Sequence, residues 1–306
     1  MERIDGCPGI PARDSLGFKG TFGKVCVVGG SCGDHPMIGA PALAARAALR
    51  SGCGLCAVAV AAPILSSVLC IVPAATGVAL PVDAEQKLFA AGCAQVIDQA
   101  LVNADVLVIG PGFGHDVAQQ QIVIRLVGSF SKPIIVDADA LRALACTVDF
   151  ARDMKAPIIL TPHPGEFAAL AQSLDLELDA VNESTRDLAA HTLAARLGCI
   201  VVLKGAHTRV SDGLRVWKSP HVEAALAMGG SGDVLSGIMG SFAAQFATSK
   251  SAAAPLDLFQ VACLAVHVHA LTATRWSLTH GHAGLLPEEL ADEIPATLAQ
   301  LRGELN

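Results

Sequence analysis

A run of three glycines and one aspartate is the segment of this chain best suited to phosphate chemistry. Residues 227–235 read Ala-Met-Gly-Gly-Ser-Gly-Asp-Val-Leu, and an apolar helix is predicted to begin near Asp233. Glycines ahead of a helix let backbone N–H groups and the positive end of the helix dipole approach an anion, while a nearby carboxylate can accept a proton. The segment therefore indicates phosphoryl transfer to an alcohol. An ordinary helix start with Asp233 as its N-cap is the structural alternative.

The composition favours chemistry on a small molecule. The chain has 306 residues, a net charge of −7 and only 21 Lys and Arg residues, which leaves no broad basic surface for a nucleic-acid backbone. Residues 55–82 carry no charge, but Pro63, Pro73 and Pro81 interrupt them, and a membrane-spanning helix rarely tolerates such interruptions. We expect two buried strands with a turn between them here, and neither a nucleic-acid partner nor a membrane.

Cysteine usage and the first residues indicate a cytoplasmic protein. Most of the ten cysteines lie inside apolar runs, as Cys26 and Cys199 do, which suits reduced core residues better than a disulfide framework. Residues 1–5 are charged and no apolar segment follows them, so we expect no signal peptide.

Apolar runs alternate with helical patterns along most of the chain. Runs that are apolar on both faces, separated by amphipathic helices, are typical of a parallel sheet covered on both sides. We therefore predict a three-layer α/β/α fold, in one domain covering residues 1–306, with a polar leader at 1–20. A hairpin is predicted around Ser211-Asp212-Gly213. The predicted strands are residues 25–28, 55–60, 106–109, 134–136, 158–160 and 200–203, and the clearest helices are 40–51, 117–130, 164–172, 183–197 and 233–246.

Polar residues follow several of these strands, where the ligands of open parallel sheets collect. Lys204 comes directly after the run 200–203, and a cation at a buried strand end needs an anion or a carboxylate beside it. Asp137 and Asp139 follow another strand, although they would equally cap the next helix. The other candidates are glycine turns at 29–31 and 110–114, and His163 and Glu166 after the run 158–160. For His163 the alternative is a satisfied structural histidine between prolines, and for Glu166 it is a carboxylate that complements the dipole of its helix.

The chain resembles the ADP/ATP-dependent NAD(P)H-hydrate dehydratase family. The matching segments follow one another in the family's order, at residues 19–31, 39–43, 104–114, 133–141, 160–166, 202–208 and 229–237. The resemblance implies a ribokinase-like fold and the repair of hydrated NADH or NADPH. In that reaction ADP or ATP phosphorylates the C6 hydroxyl of the hydrated ring, and loss of phosphate restores the double bond.

The resemblance also implies residue roles. Asp233 would be the catalytic residue. The adenine nucleotide would contact Lys204, Gly205, Ala206, His207, Thr208, Gly230, Ser231 and Gly232. The hydrated nicotinamide nucleotide would be surrounded by Ala40, Gly112, Gly114, His163 and Asp233. From the phosphoryl-transfer chemistry itself we also expect Mg²⁺ between the nucleotide phosphates and a carboxylate such as Asp139 or Glu166.

Two other functions stay open. The first is a kinase of the same fold that phosphorylates a vitamin-precursor alcohol of the hydroxymethylpyrimidine or hydroxyethylthiazole type. The second is a nucleotide-binding homologue without activity, because residues 219–225 differ from the Thr-Gly-Asn-Pro-like run that relatives carry. If the family function holds, we expect a stand-alone dehydratase, with a separate epimerase in the same pathway, that forms a homo-oligomer.

Overall fold

A ten-stranded sheet forms the centre of the molecule. The computed structural model describes residues 1–33, 35–248 and 255–304. The strands are β1 (Glu2–Ile4), β2 (Lys24–Val28), β3 (Leu55–Ala61), β4 (Thr76–Leu80), β5 (Val106–Ile109), β6 (Ile134–Val136), β7 (Ile158–Leu160), β8 (Ile200–Leu203), β9 (Arg209–Ser211) and β10 (Arg215–Lys218). Their order is β1-β10-β9-β8-β7-β6-β5-β2-β3-β4, and only β9 runs antiparallel to its neighbours. The predicted mostly parallel sheet is confirmed.

Helices cover the sheet. They are α1 (Gly39–Arg50), α2 (Leu65–Ile71), α3 (Ala90–Leu101), α4 (Val117–Ser129), α5 (Asp139–Ala145), α6 (Phe150–Asp153), α7 (Pro164–Ser173), α8 (Arg186–Leu197), α9 (Ser231–Phe242), α10 (Leu258–His280) and α11 (Pro287–Leu301). Helices α1, α9, α10 and α11 pack together, as do α3, α4, α5 and α7. Strands β5 to β8 are completely or almost completely buried, as expected for a sheet between two helical layers. None of the described helices is long and apolar enough to cross a membrane.

One predicted connection was wrong, and the predicted leader contains a strand. Residues 62–71 between β3 and β4 form a short 3₁₀ helix and α2, not a turn, because parallel neighbours need a crossover. Pro63 fits this crossover, since the first turn of a helix requires no N–H from it. The supposed polar leader contains β1, which extends the sheet beside β10. Three mostly exposed residues carry no hydrophobic pattern by which a strand can be recognised.

Helix α9 lies unusually close to α1 and to the sheet. A Cβ on Gly237 would stand 2.1 Å from the carbonyl oxygen of Ala44, and one on Gly240 would stand 2.5 Å from Cγ2 of Val108. Only glycine permits this approach at both positions. The close packing fixes the first turn of α9, and Asp233 with it, over the strand ends.

Candidate active site

The predicted polar strand ends meet along one edge of the sheet. Strands β5, β6, β7 and β8 are parallel neighbours, so the residues that follow them lie side by side. Above them stands the first turn of α9, since Lys204 Nζ would be 3.4 Å and Asp137 Oδ2 3.8 Å from a Cβ on Gly232. The glycine turn, the lysine and an aspartate therefore form one site.

Asp233 is the third residue of α9, and Gly230 is its N-cap. The alternative in which Asp233 caps the helix does not hold. Its partly buried carboxylate makes no hydrogen bond with any described residue. Burial and the negative charge of Asp137 raise the pKa of Asp233 to about 7, although the Lys204 ammonium opposes the shift. A carboxylate that is half ionised near neutral pH is suited to accept a proton from a hydroxyl.

Asp137 forms the ion pair with Lys204 that a buried cation needs. Lys204 Nζ lies 2.7 Å from Asp137 Oδ1, and both side chains are largely buried. Thr161 and Ser236 donate to the same carboxylate over 2.7 and 2.5 Å. Burial opposes ionisation of Asp137, but the Lys204 charge and these hydrogen bonds outweigh it and lower its pKa. Burial likewise lowers the pKa of Lys204, but the charges of Asp137 and Glu166 outweigh it and raise the pKa. The lysine is thus held as a cation beneath the glycine turn.

A cavity of about 490 Å³ opens beside Lys204 and the start of α9. Of the predicted nucleotide residues it is lined by Lys204, Gly205, Ala206, Thr208, Ser231 and Gly232. The His207 ring lies 3.0 Å from the Ser219 carbonyl oxygen, and Gly230 packs near Pro287, so neither residue lines the cavity. Such a cavity falls within the size range of small-molecule sites. The atypical segment 219–225 contributes Ser219, His221, Val222, Glu223 and Ala224 to its wall.

A buried arginine holds the loop after β8 from beneath. Arg186, only 4% exposed, donates to the carbonyl oxygens of Ala180, Leu203 and Lys204 over 2.9 to 3.0 Å. A Cβ on Gly205 would stand 3.1 Å from the guanidinium. Arg186 forms no ion pair with a carboxylate of the described residues within 4.0 Å. Its hydrogen bonds therefore fix the backbone from which a nucleotide would receive N–H donors.

His269, in α10, supports the glycine turn. Its Nε2 lies 3.0 Å from the Ser231 carbonyl oxygen and 3.2 Å from the Ser231 hydroxyl. Complete burial lowers the pKa of His269 to about 4, so the ring is neutral near pH 7. A neutral imidazole that donates to the carbonyl keeps the turn in place without adding charge.

The predicted dinucleotide-binding residues do not all border one cavity. Ala40 and Gly112 are neighbours, since a Cβ on Gly112 would lie 3.0 Å from that of Ala40. Gly114 donates its N–H to Asp139 Oδ2 over 2.8 Å at the end of β5. His163, in contrast, lines the cavity beside Lys204. Its Nδ1 also accepts the Gly165 N–H over 2.9 Å, so His163 is the N-cap of α7.

The two predicted metal ligands, Glu166 and Asp139, do not border the same cavity. Glu166 Oε2 accepts the His163 N–H and lies 3.8 Å from Lys204 Nζ, whereas Asp139 contacts Gly114 and His115. Burial raises the pKa of Glu166, partly offset by Lys204. No group of three or more metal-binding side chains occurs among the described residues. Glu166 therefore lies beside Lys204, and Asp139 beside Gly114 and His115, each as a single carboxylate.

Comparison with known proteins identifies the family. A model described as NAD(P)H-hydrate dehydratase matches residues 25–296. The chain belongs to this family. An ADP-dependent (S)-NAD(P)H-hydrate dehydratase of Neisseria meningitidis is 35% identical over 298 residues, which cover 96% of this chain and 90% of that protein. A bifunctional NAD(P)H-hydrate repair enzyme of Salinibacter ruber is 33% identical over 96% of this chain. The chain spans about half the length of the bifunctional relatives, 51% in this case.

Solved structures agree with the family and the fold. An ADP/ATP-dependent NAD(P)H-hydrate dehydratase from Bacillus subtilis, co-crystallized with ATP and Mg²⁺, is 27% identical with a TM-score of 0.75, covering 96% of this chain and 95% of that one. A hypothetical protein from Streptococcus mutans reaches a TM-score of 0.77 at 26% identity, with 95% of each chain covered. A hydroxyethylthiazole kinase from Pyrococcus horikoshii, 16% identical over 84% of this chain and 95% of that one with a TM-score of 0.56, shares the fold alone. The predicted ribokinase-like fold is confirmed.

The sequence did not indicate how three residues hold this site together. Asp137 was a candidate only as a strand-end residue or a helix cap, and its pairing with Lys204 depends on the order of β6, β7 and β8. Ser236 lies one helical turn after Gly232, a spacing that is informative only once the target carboxylate is known. Arg186 carries no sequence signal, since an arginine at a helix start is usually solvated.

Proposed function

We propose that this chain is an ADP- or ATP-dependent dehydratase that converts hydrated NADH and NADPH back to the dihydronicotinamide nucleotides. The single observation that carries the proposal is the Asp233 carboxylate. It is partly buried, lacks a hydrogen-bond partner among the described residues, has a pKa raised to about 7, and stands at the glycine turn above Lys204. The names of the relatives support the substrate and the co-substrate.

Phosphorylation makes the leaving group. Hydroxide is a poor leaving group. Transfer of a phosphoryl group from ADP or ATP to the C6 hydroxyl therefore lowers the barrier to breaking the C6–O bond. Asp233 accepts the hydroxyl proton as the new O–P bond forms and the bond to the departing AMP or ADP breaks. The ring nitrogen then expels inorganic phosphate from C6, and loss of a proton from C5 restores the ring double bond.

The remaining groups bind and orient the phosphates. The N–H groups of Ser231 and Gly232, which line the cavity at the start of α9, would hold the transferring phosphoryl group, and the Lys204 ammonium adds a positive charge. Mg²⁺, when bound with the nucleotide, would neutralise part of the phosphate charge. Glu166 is the better placed of the two candidate ligands, because it lies beside Lys204 and Asp139 borders another cavity. Both assignments remain proposals.

One assay tests the function against its rivals. The protein is incubated with Mg²⁺, ADP or ATP, and hydrated NADH or NADPH, while near-ultraviolet absorbance and free phosphate are followed together. The dehydratase predicts that absorbance and phosphate rise in equal amounts. A vitamin-alcohol kinase would instead accumulate a phosphorylated alcohol from hydroxymethylpyrimidine or hydroxyethylthiazole. Nucleotide binding without turnover of any of these substrates would indicate the inactive homologue.

The number of domains, the location and the assembly of the protein are also proposals. The continuous sheet through the described residues supports one domain. The cytoplasmic location, the homo-oligomer and the separate epimerase remain predictions from the sequence.

A further inference from the structure

A second cavity, of about 320 Å³, lies at the ends of β5 and β6. Its lining residues are Gly114, His115, Gln120, Asp139, Arg142, Ala143 and Cys146. The two cavities are linked through the end of β6, because Asp137 pairs with Lys204 at the first cavity and Asp139, two residues later, lines the second. A molecule that reacts at Asp233 while a nucleotide fills the first cavity can extend into the second.

The second cavity presents a guanidinium without a carboxylate partner. Arg142 is exposed, and it forms no ion pair within 4.0 Å with any carboxylate in the part of the chain that the structure describes. Its Nη1 lies 3.2 Å from His115 Nε2, and that nitrogen lies 3.2 Å from Asp139 Oδ1. The other Asp139 oxygen accepts the Gly114 N–H. His115 Nε2 either accepts from Arg142 or donates to Asp139, so the three side chains lie together in the cavity wall while the guanidinium keeps N–H donors free.

We propose that this cavity binds a phosphate group of the dinucleotide substrate, with Arg142 as the principal ligand and His115 as its support. The inference rests on the proposed function. A hydrated NAD(P)H molecule carries a pyrophosphate and, in the NADP form, a 2′-phosphate, and these anions need a cationic partner away from the nucleotide cavity. A guanidinium matches phosphate geometry with two parallel N–H donors. Gly114, predicted to contact this substrate, borders the same cavity.

A third cavity along this edge is less suited to a phosphate. It measures about 250 Å³ and its charged lining residues are Glu85, Lys87 and Asp116, so two carboxylates oppose one ammonium. In the second cavity, Arg142 opposes Asp139 alone, and Asp139 already interacts with His115 and the Gly114 N–H. Lys87, which has no ion pair with a described residue, therefore provides a matched control for loss of one positive charge.

The test compares Arg142→Ala, Arg142→Lys and Lys87→Ala with the wild-type protein. For each protein, KM and kcat are measured with hydrated NADH and with hydrated NADPH, and KM is measured for ADP. Binding of NADH and NADPH without turnover is measured by the fluorescence of the reduced ring. We expect Arg142→Ala to weaken dinucleotide binding roughly tenfold or more, the usual loss for a charge-assisted contact, with KM affected more than kcat. Arg142→Lys should lose less, and the ADP KM should stay within about twofold.

The outcomes separate the two phosphate sources. If Arg142→Ala loses equal affinity for NADH and NADPH, Arg142 binds the pyrophosphate. If it loses affinity for NADPH alone, Arg142 binds the 2′-phosphate. Unchanged dinucleotide binding in Arg142→Ala, or the same loss in Lys87→Ala, would overturn the proposal. If the wild-type protein turns over neither hydrated substrate, the proposed function fails, and the fluorescence titration still decides whether Arg142 binds a dinucleotide. Arg142 is exposed, so its variants should fold, which a thermal melt verifies.

Discussion

At the scale of single residues, the proposed chemistry depends on the Asp233 carboxylate, which has no hydrogen-bond partner among the described residues. Asp137 and Asp233 are close enough to interact, but only Asp137 receives the Lys204 ammonium and two hydroxyl donors. The pKa of Asp137 is therefore lowered, while that of Asp233 is raised. Two carboxylates with opposite shifts have separate roles, one as a fixed counter-ion and one as a proton acceptor.

The raised pKa of Asp233 predicts the pH dependence of turnover. A proton acceptor must be ionised, so below pH 7 the value of kcat/KM for hydrated NADH should fall about tenfold per pH unit, and above about pH 7 it should level off. The profile is measured at saturating ADP and Mg²⁺. Nucleotide affinity is determined at each pH, because the nucleotide phosphate titrates in the same range. An acid limb near pH 4, the range of an ordinary aspartate, would remove Asp233 as the titrating base.

At the scale of elements, the nucleotide loop depends on α8. Arg186 lies in the first turn of α8 and bonds to the carbonyl oxygens of Leu203 and Lys204 at the end of β8. A buried guanidinium that satisfies three carbonyls is costly to remove, because those acceptors lose their donors. The helix thus sets the position of the loop although it contributes no residue to the cavity wall.

Arg186→Met should raise KM for ADP roughly tenfold, because the loop loses hydrogen bonds from a charged donor. The effect on KM for the hydrated dinucleotide should be smaller. Arg186→Lys should restore part of the affinity. Arg196→Met, an exposed position on the same helix, is the matched control and should change neither constant. Steady-state kinetics and thermal melts of all three variants provide the measurement. If the two substrate KM values rise equally in Arg186→Met, the effect is general destabilisation and not positioning of the loop.

At the scale of the whole molecule, the sequence predicted the central strands because their apolar runs are buried on both faces, as in Val106–Ile109. It missed β1, since pairing with β10 is decided by the sheet edge and not by any pattern in residues 2–4. It missed α2 because a run that is apolar throughout does not distinguish a helix from a turn between strands.

The candidate site was predicted in its parts but not in its pairings. The strand ends were identified because parallel strands must deliver their following residues to one edge. Which carboxylate meets Lys204 depends on strand order, and which cavity His163 borders depends on the path of the β7–α7 turn. Both are long-range properties that no local spacing carries.

The most direct measurement of the central claim compares Asp233→Asn with the wild-type protein in nucleotide binding and in turnover. Asparagine keeps the shape of the side chain and removes its capacity to accept the proton. The account predicts that ADP affinity stays within about threefold, while turnover of hydrated NADH falls at least a thousandfold, comparable to the loss of a general base. A variant that retains near-wild-type turnover would contradict the assignment of Asp233 as the base.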